Sequence, residues 1–193
     1  MTPTALITAA LDEAVEALTR LRANTATHAQ IAKAAERFAA VFKAEGRVFS
    51  CGNGGSMCDA MHFAEELSGR FRDDRKALSA LAISDPGYLS CTLNDYGAER
   101  VFSRFIEAHG KKGDALLAIS TSGKSKNVIT AAEEARKRGL FVVSLTGRAD
   151  SDLAKVSDID VCTPAGRYAD RVQELHIKVI HIIIELVEKL TFS

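Results

Sequence analysis

The chain has 193 residues, 47% of them hydrophobic, enough for one well-buried domain, and no Pro/Gly/Ser-rich stretch divides it. Lysine plus arginine equals aspartate plus glutamate at 25 each, so no net field draws nucleic acid or an anionic membrane, and the expected partner is a small molecule. No charged-then-apolar leader opens the sequence, Lys178, His181, Glu185 and Glu188 interrupt the longest apolar stretch, and Cys51, Cys58, Cys91 and Cys162 form no CxxC pair; the expectation is a cytoplasmic protein with no membrane span and with buried, free thiols.

Residues 4–21 and 27–43 carry apolar side chains at helical spacing (Leu6, Leu11, Val15, Leu18; then Ile31, Ala35, Phe38, Phe42), which predicts two leading helices with Thr27 and Gly46 as punctuation. Short apolar runs follow at 47–51, 78–83, 115–120, 140–145 and 159–162. Between and after them, helical segments are predicted at 56–70, 98–109, 126–138 and 169–190. This alternation predicts an α/β fold, a three-layer α/β/α sandwich around a five-stranded parallel sheet, in a single domain spanning 1–193. The last helix is apolar almost all round (Val172, Leu175, Ile177, Val179, Ile180, Ile182, Ile183, Ile184, Leu186, Val187, Leu190), more than one face of a small domain hides, so a subunit interface is expected beside the core.

Two loops join a predicted strand to a predicted helix: Cys51-Gly52-Asn53-Gly54-Gly55-Ser56 and Ser120-Thr121-Ser122-Gly123-Lys124-Ser125. At such a junction the first helical N–H groups lack internal partners, the helix dipole favours negative charge, glycines let the backbone approach and hydroxyls donate without adding charge. The pair therefore reads as an anion cradle at the carboxyl end of the sheet. The second loop misses the nucleotide pattern GxxxxGK[ST] by one residue, because Ala118 stands where the first glycine belongs and continues the strand. A triphosphate-wrapping turn would start too late there, and a smaller phosphate compound fits better. The bland alternative is a hydroxyl cluster that only caps the next helix.

His62 and Glu66 are four apart, hence separated by about 40° and roughly 6 Å of rise on a helix, and can address one ion or one substrate atom. A solvated surface pair has the same spacing; the nearby glycine loop favours the functional reading. Gln173 and His181 are polar groups in the apolar last helix, where an unpartnered imidazole is costly. About 12 Å of rise separates them, which is awkward for two ligands of one ion, so either the helix is distorted or a neighbouring subunit contributes. His109 and His176 read as ordinary.

The first loop continued by Asp59-Ala60-Met61-His62-Phe63-Ala64-Glu65-Glu66-Leu67, then Ser120-Thr121-Ser122-Gly123, then Arg171-Val172-Gln173-Glu174-Leu175-His176-Ile177-Lys178-Val179-Ile180-His181, closely resembles the phosphoheptose isomerases of the sugar-isomerase (SIS) superfamily. The likeness runs over essentially the whole chain. It implies a flavodoxin-like sheet and a homotetramer with active sites at subunit interfaces, residues 1–45 serving as oligomerisation helices and 46–193 as the sandwich core. It implies a zinc ion held by His62, Glu66, Gln173 and His181. Asn53, Ser120, Thr121, Ser122 and Ser125 would hold the sugar phosphate, and Gly54, Gly55, Ser56, Glu66, Arg70, Asn94, Asp95, Asp170 and Gln173 would complete the substrate pocket. Lys124 stands where many relatives carry a small or amide residue.

The expected reaction is an aldose–ketose isomerisation of sedoheptulose 7-phosphate through an enediol, feeding ADP-heptose and lipopolysaccharide core synthesis. Glu66 is the expected base for the carbon proton and His181 the acid/base at the oxygens. Zinc would act as a Lewis acid, loosely held because glutamine is a poor ligand, with Glu66 shifting its coordination or using its second oxygen. Two rivals stand beside this: a non-catalytic SIS protein that binds the replication initiator, and another sugar-phosphate isomerase.

Overall fold

Asn24 is the hinge between the two leading helices, α1 (Pro3–Ala23) and α2 (Thr25–Lys43), in a computed structural model that describes residues 1–192. The single-domain reading extends to residue 193, which lies outside the described residues. Asn24 ends α1 and starts α2, its side chain accepting the Thr27 N–H at 3.1 Å, so α2 begins before the punctuation read at Thr27.

Five parallel strands follow: β1 (Val48–Gly52), β2 (Ala80–Ala82), β3 (Ala115–Ser120), β4 (Phe141–Thr146) and β5 (Ile159–Cys162), in the order β2-β1-β3-β4-β5. Val48 lies opposite both Ala80 and Ala115, and Ser120 opposite Thr146. β3 is buried at every residue because both its faces are covered, which is why its sequence is a continuous apolar run. Leu117 and Ile119 face α2, α3 (Gly55–Ser68) and α8 (Ala169–Phe192) through Phe38, Phe63, Leu67, Val179 and Ile183. Leu116 and Ala118 face the opposite layer, α5 (Ser103–His109) and α6 (Lys126–Lys137), through Ile106, Val128 and Ala132. In this strand order the winding reverses between β1 and β3, and the two loops leave the carboxyl ends of those strands.

Several elements differ from the sequence reading. The helix read at 98–109 is a 3-10 turn at 98–100 followed by α5. Two helices escaped it: α4 (Pro86–Tyr96), capped by Asp85 and ended by Gly97, and the single turn α7 (Asp152–Lys155). α4 buries only Thr92, so it shows no apolar stripe to read. The large uncovered apolar surface lies on α1, where Leu6, Ile7, Leu11, Val15 and Leu18 are 46–64% exposed, whereas α8 leaves Ile182, Leu190 and Phe192 exposed, at 37–44%. Of the thiols expected to be buried, only Cys51 is; Cys162 is half-buried, and Cys58 and Cys91 are exposed. All four are free, and burial pushes Cys51 up to about 12, which makes it inert. Among the described residues no helix is long and apolar enough to cross a membrane.

Candidate active site

The β1–α3 turn is built from glycines for steric reasons. Gly54 has φ +55°, and a Cβ on Gly52 would meet the Ser56 carbonyl oxygen at 2.6 Å. Gly55 is pressed against the Gln173 side chain, whose Nε2 would lie 2.7 Å from an added Cβ. Gly54 starts α3 with no side-chain cap, so the positive end of the helix dipole is open to an anion. Ser56, buried in the first turn, donates its N–H to the Asn53 carbonyl at 3.0 Å.

In the β3–α6 loop the hydroxyls bond one another and the loop backbone. Ser120 Oγ lies 3.0 Å from Ser125 Oγ and accepts the Gly123 N–H at 3.2 Å, while Ser122 Oγ accepts the Lys124 N–H. Ser125 starts α6 yet makes no side-chain cap hydrogen bond, so helix capping does not account for the cluster. The Asn53 and Asn127 amides bond each other reciprocally, both at 2.9 Å, and tie the two loops together. Asn127 carried no signal in the sequence, since it lies outside both loop motifs. Thr121 and Ser122 line a cavity of about 370 Å³ with Arg148 and Arg167, two cations that the sequence reading also passed over.

His62, Glu66 and His181 converge. His62 Nε2 is 3.2 Å from Glu66 Oε1 and 3.1 Å from His181 Nε2, and one ligand atom from each lies within 4.8 Å of the others. The i,i+4 spacing on α3 and the packing of α8 across it create this meeting. Two imidazoles and a carboxylate form an ordinary zinc donor set, and two nitrogens each about 2.0–2.1 Å from one tetrahedral ion stand roughly 3.3 Å apart, close to the separation seen. The residues present therefore fit a divalent ion. Burial pushes the His181 imidazole below its usual range, helped by His62 and opposed by Glu66, which favours the neutral, ligating form. Asp59, one turn before His62, is a further carboxyl near the cluster. Burial raises it to about 6 against the pull of His62, and its Oδ2 has no hydrogen-bond partner.

The other expected residues lie apart from this cluster in one chain. Gln173 sits at Gly55, at the opposite end of α3, and α8 runs unbroken from Ala169 to Phe192, so helix distortion does not bring it to His181. Arg70 is exposed just past α3. Asn94 and Asp95 are exposed on α4, bonded to each other at 2.8 Å, and Asp170 is exposed in the first turn of α8, accepting the Arg171 N–H. His62 lines a cavity of about 610 Å³ with Cys58, Met61 and Leu81, separate from the one lined by Thr121 and Ser122. His176, read as ordinary, is fully buried among apolar side chains with neither ring nitrogen hydrogen-bonded. Burial pushes it down to about 4; a weak contact with the Thr146 backbone opposes this, but that carbonyl already accepts the Thr163 N–H at 2.8 Å.

Comparison with known proteins adds an independent line. The SIS domain family model matches residues 11–147. The chain is 53% identical over 184 residues to the phosphoheptose isomerase of Edwardsiella ictaluri, covering 95% of each, and 52% identical over 179 residues to that of Cytophaga hutchinsonii, covering 93% and 94%. Among solved structures, the phosphoheptose isomerase of Neisseria gonorrhoeae superposes with a TM-score of 0.90 at 34% identity, over 97% of this chain and all of that one. That of Francisella tularensis does so with 0.89 at 30%, over 98% and 100%. Sequence and fold thus agree along nearly the full length of both partners, and the chain belongs to the SIS-domain family and, within it, to the phosphoheptose isomerases.

Proposed function

We propose that this chain converts sedoheptulose 7-phosphate to D-glycero-D-manno-heptose 7-phosphate, an aldose–ketose isomerisation that supplies ADP-heptose for lipopolysaccharide core. The observation that carries the reading is the convergence of His62, Glu66 and His181 from two helices. A carboxylate and an imidazole at one point match the two proton transfers the reaction needs. Glu66 takes a proton from C1 of the ketose as O2 gains one, giving the cis-enediol; the proton then returns to C2 as O1 loses its own, with His181 moving protons at the oxygens. Both are half-buried, with the Glu66 side chain 17% exposed, so a closed site would shield the enediol from water.

His62, Glu66 and His181 would hold zinc, which when bound polarises the sugar carbonyl. Gln173, out of reach within one chain, would join as the fourth ligand only from a neighbouring copy. Asn53, Ser120, Thr121, Ser122 and Ser125 would hold the phosphate, with Gly54, Gly55, Ser56, Arg70, Asn94, Asp95 and Asp170 completing the pocket around it. The exposed apolar face of α1 and the separation of the two cavities support a homotetramer, with residues 1–45 as assembly helices, 46–193 as the sandwich and the sites completed between subunits. Four free thiols suit a reducing cytosol. No observation favours the initiator-binding role or another sugar phosphate.

The test is incubation with sedoheptulose 7-phosphate in deuterated water, with zinc supplied and with a chelator. The expected result is heptose 7-phosphate carrying solvent deuterium at C2, suppressed by the chelator. No turnover with metal present overturns the reading.

A further inference from the structure

The end of α3 nearest the cluster is closed by a residue outside the helix. Helix C-termini leave their last carbonyls without intrahelical donors, and cations are favoured there. α3 has no basic residue in its last turn. Arg75, in the loop that follows, folds back over it: Nη1 donates to the carbonyls of Leu67 at 2.9 Å and Gly69 at 2.8 Å, and Nη2 to that of Glu66 at 2.6 Å. Its Nε donates to Glu188 Oε1 on α8 at 2.8 Å. The Arg75 side chain is 8% exposed and that of Glu188 16%, so this is a nearly dry guanidinium making four hydrogen bonds from its five N–H groups. The nearby Arg72–Glu185 pair, 59% and 32% exposed, is an ordinary surface contact by comparison.

The partners matter. α3 carries His62 and Glu66, and α8 carries His181. Glu188 is seven residues beyond His181, two turns on along nearly the same face. At the other end of the same helix pair, Gln173 of α8 packs against Gly55 of α3. The two helices are therefore fixed to each other at both ends, with the His62–Glu66–His181 cluster between the fastenings.

We infer that Arg75 and Glu188 form a clamp that sets the register of α3 against α8 and so positions Glu66 and His62 against His181. The inference rests on reading that cluster as the reaction site. Arg75 touches no reacting atom; it is a positioning residue. Lysine would keep the charge but lose the planar fork that serves three carbonyls and a carboxylate at once.

The test compares Arg75→Lys, Arg75→Gln, Glu188→Gln and the Arg75→Gln/Glu188→Gln pair with Ile106→Val, a core truncation on the far face of the sheet that lowers stability without touching the clamp. Expected are a kcat loss of about 100-fold in both Arg75 variants and about tenfold in Glu188→Gln, KM staying within about twofold. The double variant should be no worse than Arg75→Gln, because the two act as one unit. Co²⁺ affinity, read by titration of its visible absorption, should fall by about tenfold or more in step with kcat. Ile106→Val should keep kcat and Co²⁺ affinity. Near-normal kcat and Co²⁺ affinity in Glu188→Gln and Arg75→Lys overturn the clamp, as does an equal loss in Ile106→Val. Should Arg75→Gln fail to fold, Glu188→Gln and Arg75→Lys still decide. If the unaltered protein turns over no sedoheptulose 7-phosphate, the proposed substrate fails while the Co²⁺ series still tests the clamp; absence of both turnover and Co²⁺ binding overturns both.

Discussion

His62 and His181, 119 residues apart in the chain, face each other Nε2 to Nε2 at 3.1 Å. Two ring nitrogens at that distance share one proton or one ion, since two N–H donors would collide head on. His62 also reaches Glu66, so the three groups form one unit whose members cannot be replaced singly without disturbing the others.

Glu66→Gln and His181→Gln are accordingly expected to lower kcat by about 10²–10⁴-fold, the range for losing a general acid or base, while substrate still binds. Steady-state kinetics paired with equilibrium binding of sedoheptulose 7-phosphate checks this. A near-normal rate in either variant removes the assigned roles.

Much of this unit was legible in the sequence because it follows from periodicity. The i,i+4 pair His62 and Glu66 needs only a helix, and the strand-to-helix junctions at Gly52 and Ser120 need only apolar runs followed by glycine and serine. The sheet could be read because β3 and β4 are buried on both faces and so are predominantly apolar, Ser144 interrupting β4. What could not be read depends on side chains meeting across the fold. The Asn53–Asn127 amide pair and the Arg75–Glu188 contact join segments 74 and 113 residues apart, and no local pattern marks either. His176 looked ordinary because its burial is set by how α8 lies on β4. The α1 stripe shows in the sequence as helical spacing, but periodicity alone does not say whether such a stripe is covered, and in α1 only Ala17 and Leu21 are buried.

Gly55→Ala should displace the Gln173 amide, because its Cβ would fall 2.7–2.8 Å from three atoms of that group. The amide is the end of a flexible, half-buried side chain that can turn aside, so the expected cost is under about 1 kcal/mol. Gln173→Ala made in the Gly55→Ala background should recover most of that stability, measured by denaturant unfolding. Recovery would be absent if the clash were elsewhere.

Asn127→Ala breaks the reciprocal amide pair that holds the two loops together. The amide pair is exposed, so global stability should change by less than about 1 kcal/mol. The loop effect should appear instead as a rise in KM of about tenfold, the size of losing one well-placed hydrogen bond to an anion cradle. An unchanged KM would mean that the loops hold their relative position without Asn127.

Assembly can be separated from folding at α1. Leu11 and Val15, 63% and 64% exposed and one turn apart, form the centre of its uncovered stripe. Leu11→Glu/Val15→Glu should leave the circular-dichroism spectrum intact, since neither side chain is in the core, yet lower the mass seen by light scattering. If the sites are completed between subunits, isomerase activity falls with the mass; full activity in a monomer would remove that part of the proposal.

Acid sensitivity should come in part from His176. Burial pushes its imidazole down to about 4, against an ordinary 6.5, because the apolar surround disfavours the charged ring more than the Thr146 backbone supports it. Between those values the unfolded chain binds a proton that the folded chain refuses, so stability is full above about pH 6.5 and is lost as pH falls towards 4. From pH 7 to pH 5 the loss is about 2 kcal/mol. Asp59, raised to about 6 by burial, acts in the opposite sense: the folded chain holds its proton longer than the unfolded one, so its contribution falls as pH rises from about 4 to 6. Asp160, also raised by burial, has the same sign as Asp59. The net curve is a difference, and only a substitution isolates the histidine. His176→Leu removes the buried imidazole while keeping an apolar side chain in its place, and should flatten the fall between pH 7 and pH 5 in urea unfolding. A wild-type-like pH slope in that variant would assign the acid sensitivity to other groups.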